Sequence, residues 1–235
     1  MKKKFEMPSC SNCDHRSKSI FSQLKPEEIE SLDDSKGCNV FKKGQIVFQE
    51  GNRLSGIFCI FKGKLKMYKT GPEGKEQIIR FAKEGDIIGY RAALSDEPLS
   101  VSAATLEETS ACFIPKRVLF EALASNQKFS FKMMEMACHE IGEANKIITN
   151  LAQKSVRERL AEVLLILQTT FGEDEDGNLD VKLTREEISS VVGTATESVI
   201  RLLSEFKKDQ LIELNGKKIH ILEHRKLAEI GNVYD

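Results

Sequence analysis

The sequence predicts an α+β protein with three parts: an N-terminal antiparallel β-roll, a long helix suited to pairing with a second copy of itself, and a C-terminal winged helix-turn-helix. Three observations predict it. Between Cys38 and about Ile114, short β-branched and aromatic runs alternate with glycines, the texture of strands joined by tight turns in a barrel or roll. From about Ser130 to Gln153, apolar and small residues recur seven apart. From Leu183 to Leu222, two short amphipathic patterns hinge on Gly193 and run into an Asn-Gly turn signal.

The length of 235 residues allows one large domain or two modest ones with their own cores. The expected divisions are a cysteine-containing segment over 1–19, the roll over 20–126, the long helix over 127–153 and the winged domain over 154–235. Apolar residues at 40% and charged residues at 30% fit a soluble globular chain, and no apolar run is long enough to span a bilayer. The basic N-terminus has no apolar stretch behind it, so it does not read as a secretory signal, and the cytoplasm is the expected location. There, six cysteines are expected as reduced thiols, metal ligands or redox sensors, not as structural disulfides. A net charge of −1 requires any nucleic-acid surface to gather its positive charge on one face.

Residues 1–19 hold Cys10 and Cys13 without clear periodicity. Pro26 opens a helix over Lys25–Leu32. Strands are expected at Ile46–Phe48, Ile57–Phe61, Leu65–Tyr68, Gln77–Phe81, Ser102–Thr105 and Ala111–Ile114. A helix follows Pro115, with Val118, Leu119 and Leu123 on one side. In the long helix Met134, Ile141 and Ile148 lie seven apart, and Ala137, Ala144 and Leu151 sit three residues after each. That is an a/d seam between two equivalent helices; a helix laid on its own domain is the alternative. Helical pattern resumes over Val156–Thr170. The acidic Gly172–Asp180 stretch lacks the carboxylate spacing of a calcium loop and reads as a solvated connector.

In the C-terminal part, Thr184 is an expected N-cap with Glu187 in capping-box position. Ile188, Val191 and Val192 form a buried face, and Gly193 ends the helix. A second helix from Thr196 turns Val199, Leu202, Leu203 and Phe206 inward and leaves Thr196, Glu197, Ile200 and Arg201 outward. Leu211–Leu214, the turn Asn215-Gly216 and Lys217–Leu222 read as a hairpin, hence a wing.

These residues carry a resemblance to the CRP/FNR family of bacterial regulators. Leu183-Thr184-Arg185, Gly193, the run Glu197-Ser198-Val199-Ile200-Arg201-Leu202-Leu203, Leu211-Ile212 and Gly216-Lys217 are similar to the family's winged helix-turn-helix. Lys43-Gly44-Gln45, Gly51, Gly63 and Gly85-Asp86-Ile87-Ile88-Gly89 resemble its cyclic-nucleotide-binding-like roll, and Asn150-Leu151-Ala152 resembles the close of its dimer helix. The resemblance implies a homodimer through Met134, Ala137, Ile141, Ala144, Ile148 and Leu151, binding inverted-repeat double-stranded DNA and acting with RNA polymerase. It implies DNA contacts from Thr184, Arg185, Thr196, Glu197, Ser198, Ile200 and Arg201. Arg201 can donate two N–H groups to guanine O6 and N7, and Glu197 can accept from cytosine N4. Thr184 and Arg185 match phosphate-holding positions. An ordinary Glu197–Arg201 surface pair is the competing reading. Ile200 and Thr196 depart from the family's branches, which leaves the flanking bases open.

The corresponding effector pocket would involve Gly89, Tyr90, Arg91, Ser102 and Asn145. The cyclic-AMP branch has a Glu where Tyr90 stands and an Arg-Ser pair where Val101-Ser102 stands, so cyclic AMP is not expected to bind; Arg91 and Arg80 remain available to another anion. Cys10, Cys13 and Cys112 resemble three of the four thiolate positions that hold an iron–sulfur cluster in the FNR branch, with Ser19 at the missing one. Cys38, His15, Asp14 or no residue completes the set. Zinc, a reversible Cys10–Cys13 disulfide, and small core residues with no redox role are the other readings. An enzyme is not expected: none of the four histidines lies in the roll, where a cupin would carry its metal. The remaining alternative is an effector-binding roll that acts through protein contacts and not through DNA.

Overall fold

The computed structural model describes residues 9–233. The chain divides into two compact units, Met1–Lys69 with Phe81–Gly142 and Thr70–Arg80 with Glu143–Asp235.

The roll has two four-stranded sheets. The first has the order β1 (Gly37–Phe41), β8 (Thr109–Pro115), β3 (Gly56–Lys62), β6 (Ile87–Ile88). The second has the order β2 (Ile46–Phe48), β7 (Ser102–Thr105), β4 (Leu65–Thr70), β5 (Glu76–Ala82). Strand alternation sorts the side chains of β3 onto two faces. Phe58 and Ile60 join Phe48, Leu65, Met67 and Ile88 in the core between the sheets. Ile57 and Cys59 face the other way, against a second core built from α1 (Pro26–Ser35), α3 (Lys116–Ser125) and the first turns of α4 (Gln127–Gln153). Ile29, Leu32, Val118, Leu119, Phe129 and Met133 fill that layer. Fully burying each such side chain is worth about 1.5–3 kcal/mol.

In the first unit β1, β6, the short α2 (Tyr90–Ser95) and two 3-10 turns (Arg16–Lys18 and Ile20–Gln23) were not legible in the sequence. The first helix also runs on to Ser35, and α4 begins at Gln127. Its apolar seam is largely uncovered in the single chain, with Met134 at 52%, Ile141 at 62% and Ile148 at 65% exposure. Ala137 differs: it is half-buried and packs against the core of the first unit, so the expected seam is turned partly inward there.

The second unit contains α5 (Val156–Phe171), α6 (Arg185–Val192), α7 (Thr196–Lys208), the hairpin β9 (Ile212–Asn215) and β10 (Lys218–Ile221), and α8 (His224–Gly231), the last also unforeseen. Ser155 caps α5 in a box with Glu158. Asn150 donates to both carboxylate oxygens of Glu162 (2.8 and 2.9 Å), and Lys154 pairs with the same group at 3.0 Å. The Lys154 ammonium also donates to the Gly231 carbonyl at 2.6 Å, which fixes the end of α8. Gly193 adopts φ +71°, and a Cβ there would stand 3.0 Å from Leu151 Cδ2. A left-handed L-residue costs roughly 1–2 kcal/mol. Gly193→Ala is therefore expected to lower the stability of the second unit by at least that much, read as a drop in its thermal midpoint; an unchanged midpoint would contradict the packing described.

Candidate nucleic-acid interface

The helix-turn-helix is built from local rules. Thr184 Oγ1 accepts from the Glu187 N–H at 3.1 Å while the Glu187 carboxylate accepts from the Thr184 N–H at 2.8 Å. This is the expected capping box, and it occupies the Thr184 side chain. Ile188 and Val192 are buried as expected, but Val191 is only half-buried, and Ser189 and Ser190 lie inside instead. The reason is a polar link: the Ser189 hydroxyl donates to the Glu186 carbonyl and meets the Thr196 hydroxyl at 3.1 Å. Thr196 therefore helps to hold the turn between α6 and α7.

Val199, Leu202, Leu203 and Phe206 bury one face of α7. The opposite face leaves Glu197, Ile200 and Arg201 exposed, with Ser198 half-buried beside them. The competing Glu197–Arg201 pair is not what forms: Arg201 Nη1 donates to Glu205 Oε1 at 2.6 Å, one turn further on. Glu197 in the first turn and Lys207 and Lys208 in the last match the helix dipole at both ends.

Two positioning arginines escaped the sequence reading. Arg159 donates to the carbonyls of Val192 (2.9 Å) and Gly193 (3.3 Å), satisfying acceptors that the end of α6 leaves open, and to that of Lys154 (2.7 Å), just after α4. Arg157 reaches Glu205 and Asp209, each at 3.1 Å, and stacks 4.8 Å over the Phe206 ring, fixing the rotation of α7 on α5. Both lie among ordinary polar helix positions, and no spacing marks them.

The wing differs from expectation in two ways. Asn215 pairs with Lys218, so the two loop residues are Gly216 and Lys217, one position beyond the expected Asn-Gly turn. The acidic stretch before α6 is not a free connector. Asp174 accepts from the Asp176 and Asn178 N–H groups, and Lys218 bridges Asp174 (3.1 Å) and Asp176 (2.9 Å). The Asn178 side-chain amide, which donates to Asp174 Oδ1 at 3.0 Å, acts first, and together with these bonds holds the Asp174 carboxyl low, at about 2. The Leu179 N–H donates to the Ile219 carbonyl, bracing the wing from behind. Arg185 Nη2 donates to the Gly216 carbonyl at 3.0 Å. Arg185 thus ties the start of α6 to the wing turn, which constrains the phosphate role expected for it.

In the roll, Gly89 (φ +81°) begins α2. Tyr90 is 2% exposed and belongs to the core with Ile57 and Ile87, while Arg91 faces solvent. Ser102 is buried, and its hydroxyl accepts from the Glu50 N–H at 3.0 Å. Asn145 lies on the part of α4 assigned to the other unit.

The cysteines depart most from expectation. Cys38 and Cys112 form a disulfide, which corrects the expectation of reduced thiols, metal ligands or redox sensors without a structural disulfide, and of Cys112 as a metal ligand. The physical reason is register: β1 and β3 flank β8, so Cys38 and Cys59 stand directly opposite Cys112 on either side. Cys10 and Cys13 line the same cavity as Cys59 and Cys112, under the N-terminal segment. Ser19 caps a 3-10 turn by accepting from the Phe21 N–H. Burial pushes the Cys59 thiol up to about 12 and raises that of Cys10 against the opposing pull of Lys36. Among the described residues, no group of three or more His, Cys, Asp or Glu side chains is arranged to hold a metal ion. With Cys112 bonded to Cys38, the donor set Cys10, Cys13 and Cys112 does not fit an iron–sulfur cluster or zinc in this conformation.

Residues 38–126 match the family described as "Cyclic nucleotide-binding domain", and residues 158–230 match "Crp-like helix-turn-helix domain". The chain is 31% identical over 227 residues to the Fumarate and nitrate reduction regulatory protein of Vibrio cholerae, spanning 95% of this chain and 90% of that one. It is 32% identical over 221 residues to Electron transport regulator A of Shewanella oneidensis (93% and 88%). It is 29% identical over 211 residues to the CRP-like cAMP-activated global transcriptional regulator of Mycobacterium tuberculosis (89% and 94%). Among solved structures, FixK2 from Bradyrhizobium japonicum has a TM-score of 0.76 at 21% identity, covering 85% of this chain and 99% of that one, a likeness of fold.

Proposed function

Because the chain belongs to the CRP/FNR family of DNA-binding transcription regulators, we propose that it binds an inverted-repeat site as a homodimer, with α7 of each copy in a major groove, and that cyclic AMP is not its effector. The observation that carries the reading is α7 itself. Its apolar face is buried, and its outward face offers Glu197 and Arg201, one helical turn apart, beside Ile200. Arg201 supplies paired donors for guanine and Glu197 an acceptor for cytosine. The exposed seam of α4 supports the dimer: Met134, Ile141, Ile148 and Leu151 leave a stripe of apolar surface open to water, and covering it with its own symmetry mate removes that cost. No helix among the described residues is long and apolar enough to cross a membrane, and the cytoplasm is the location that the DNA-binding reading implies.

DNA binding is tested by measuring the affinity for an inverted-repeat duplex across salt concentrations. The expected result is a linear fall of log K with log salt, with a slope of about −0.9 per phosphate neutralised. No duplex binding at low salt, with the thiols reduced or oxidised, would contradict the proposal.

Cyclic AMP carries a buried negative charge into any roll that binds it, and burial without a paired cation is costly. Here Tyr90 packs inward, Val101 precedes Ser102, and the Ser102 hydroxyl already serves a backbone N–H. Calorimetry with cyclic AMP should show no binding at micromolar concentrations. Micromolar binding that disappears in Ser102→Ala would overturn this part.

A further inference from the structure

The helical run from α4 to α5 is broken at Ser155. α4 ends at Gln153 and α5 begins at Val156. The Lys154 N–H still donates to the Asn150 carbonyl, and Ser155 is extended, at φ −63° and ψ 162°. Each residue contributes two soft dihedrals, so a link this short does not by itself fix the angle at which α5 leaves α4. Side chains fix it. The Glu162 carboxylate on α5 accepts from Asn150 Nδ2 through both oxygens (2.8 and 2.9 Å) and from Lys154 Nζ at 3.0 Å. The Lys154 and Glu162 side chains are only 15% and 18% exposed, which shields the pair from salt. Asn150, Lys154 and Glu162 all belong to the second unit. From α5 the constraint passes to the outer helices. Arg157 holds α7 through Glu205 and Asp209, and Arg159, one turn before Glu162, holds the end of α6. The last turns of α4 carry Ile148 and Leu151. Glu162 thus stands between the proposed dimer seam and α7.

We propose that Glu162 is a positioning residue for operator recognition: its carboxylate sets the angle between the last turns of α4 and the winged helices, and with it the spacing of half-sites that the dimer accepts. The inference rests on the DNA-binding reading above. In a two-fold dimer, any rotation at this joint is applied to both recognition helices. One added base pair moves a half-site by about 3.4 Å and turns it by roughly 34° about the duplex axis. A joint held by three side-chain bonds cannot follow that change without breaking them, whereas a joint released from Glu162 can. Release also costs affinity at the favoured spacing, because the freed joint must be ordered on binding. Glu162 lies on α5 and not on α7, so the bases read within each arm stay the same.

The test uses the full-length chain and the inverted repeat that the wild type enriches from random duplex DNA, remade with its spacer lengthened or shortened by one base pair. Anisotropy titrations at one salt concentration give the affinity ratio between the favoured spacing and each altered one. Circular dichroism checks that each variant is folded. Wild type should prefer the favoured spacing by about tenfold or more, the cost of breaking a hydrogen bond to a charged group, and Glu162→Ala by about threefold or less. Asn150→Ala should act in the same direction, and the double variant should be no looser than Glu162→Ala, because both act through one contact. If Glu162→Ala does not fold, Asn150→Ala carries the test, since it leaves the Lys154–Glu162 pair in place. Equal spacing preference in wild type and folded variants, including a uniform loss of affinity at every spacing, would overturn the assignment. So would losses that multiply in the double variant, or a wild type that binds the repeat and ignores its spacing. A wild type that enriches no inverted repeat overturns the DNA reading itself, and this inference with it.

Discussion

Arg201→Ala is expected to weaken binding to the specific operator by about 1–3 kcal/mol in each half-site. The dimer makes the contact twice, so the loss runs from roughly thirtyfold to about four orders of magnitude. The fold should not register the change, because the Arg201–Glu205 pair is exposed and such pairs contribute little. Fluorescence anisotropy with matched and base-substituted operators, at one salt concentration, reads the effect. The variant should lose discrimination at one G·C position per arm while keeping its affinity for unrelated DNA. An equal loss on all sequences would reassign Arg201 to the phosphate backbone. Arg185→Ala should behave differently from a simple phosphate contact, because its bond to the Gly216 carbonyl holds the wing.

The double variant Ile141→Asp, Ile148→Asp should be monomeric. Both side chains are more than half exposed in the single chain, so the monomer keeps its core. In the dimer, the substitutions would place four carboxylates in a desolvated apolar seam, where unpaired charge costs several kcal/mol for each group. Sedimentation velocity should show half the wild-type mass, with loss of operator binding in parallel. An intact dimer would place the interface elsewhere.

Much of this architecture is legible in the sequence because it follows from local rules. The capping box at Thr184, the left-handed stop at Gly193 and the inward face of α7 depend on residues within one or two turns of one another. What was missed depends on contacts distant in sequence. Arg159 reaches more than thirty residues along the chain to the end of α6, and Lys218 crosses to Asp174 and Asp176; neither has a periodic signature. β1 hides because Cys38, Asn39 and Val40 lack the burial alternation that marks a strand. Its position beside β8 then decides the disulfide, which no cysteine spacing reveals. Ala137 was assigned to the seam by its heptad position, yet the first turns of α4 also cover the roll, and that competing surface claims it.

Selection of binding sites from random duplex DNA by the full-length chain, at one stated salt concentration, tests the central claim most directly. Wild type should enrich an inverted repeat with a G in each arm, the arms centred about one helical turn apart, and Arg201→Ala should fail to enrich it. Enrichment of no inverted repeat by the wild type, or equal enrichment of the same site by Arg201→Ala, would contradict the reading of α7 as the element that reads DNA.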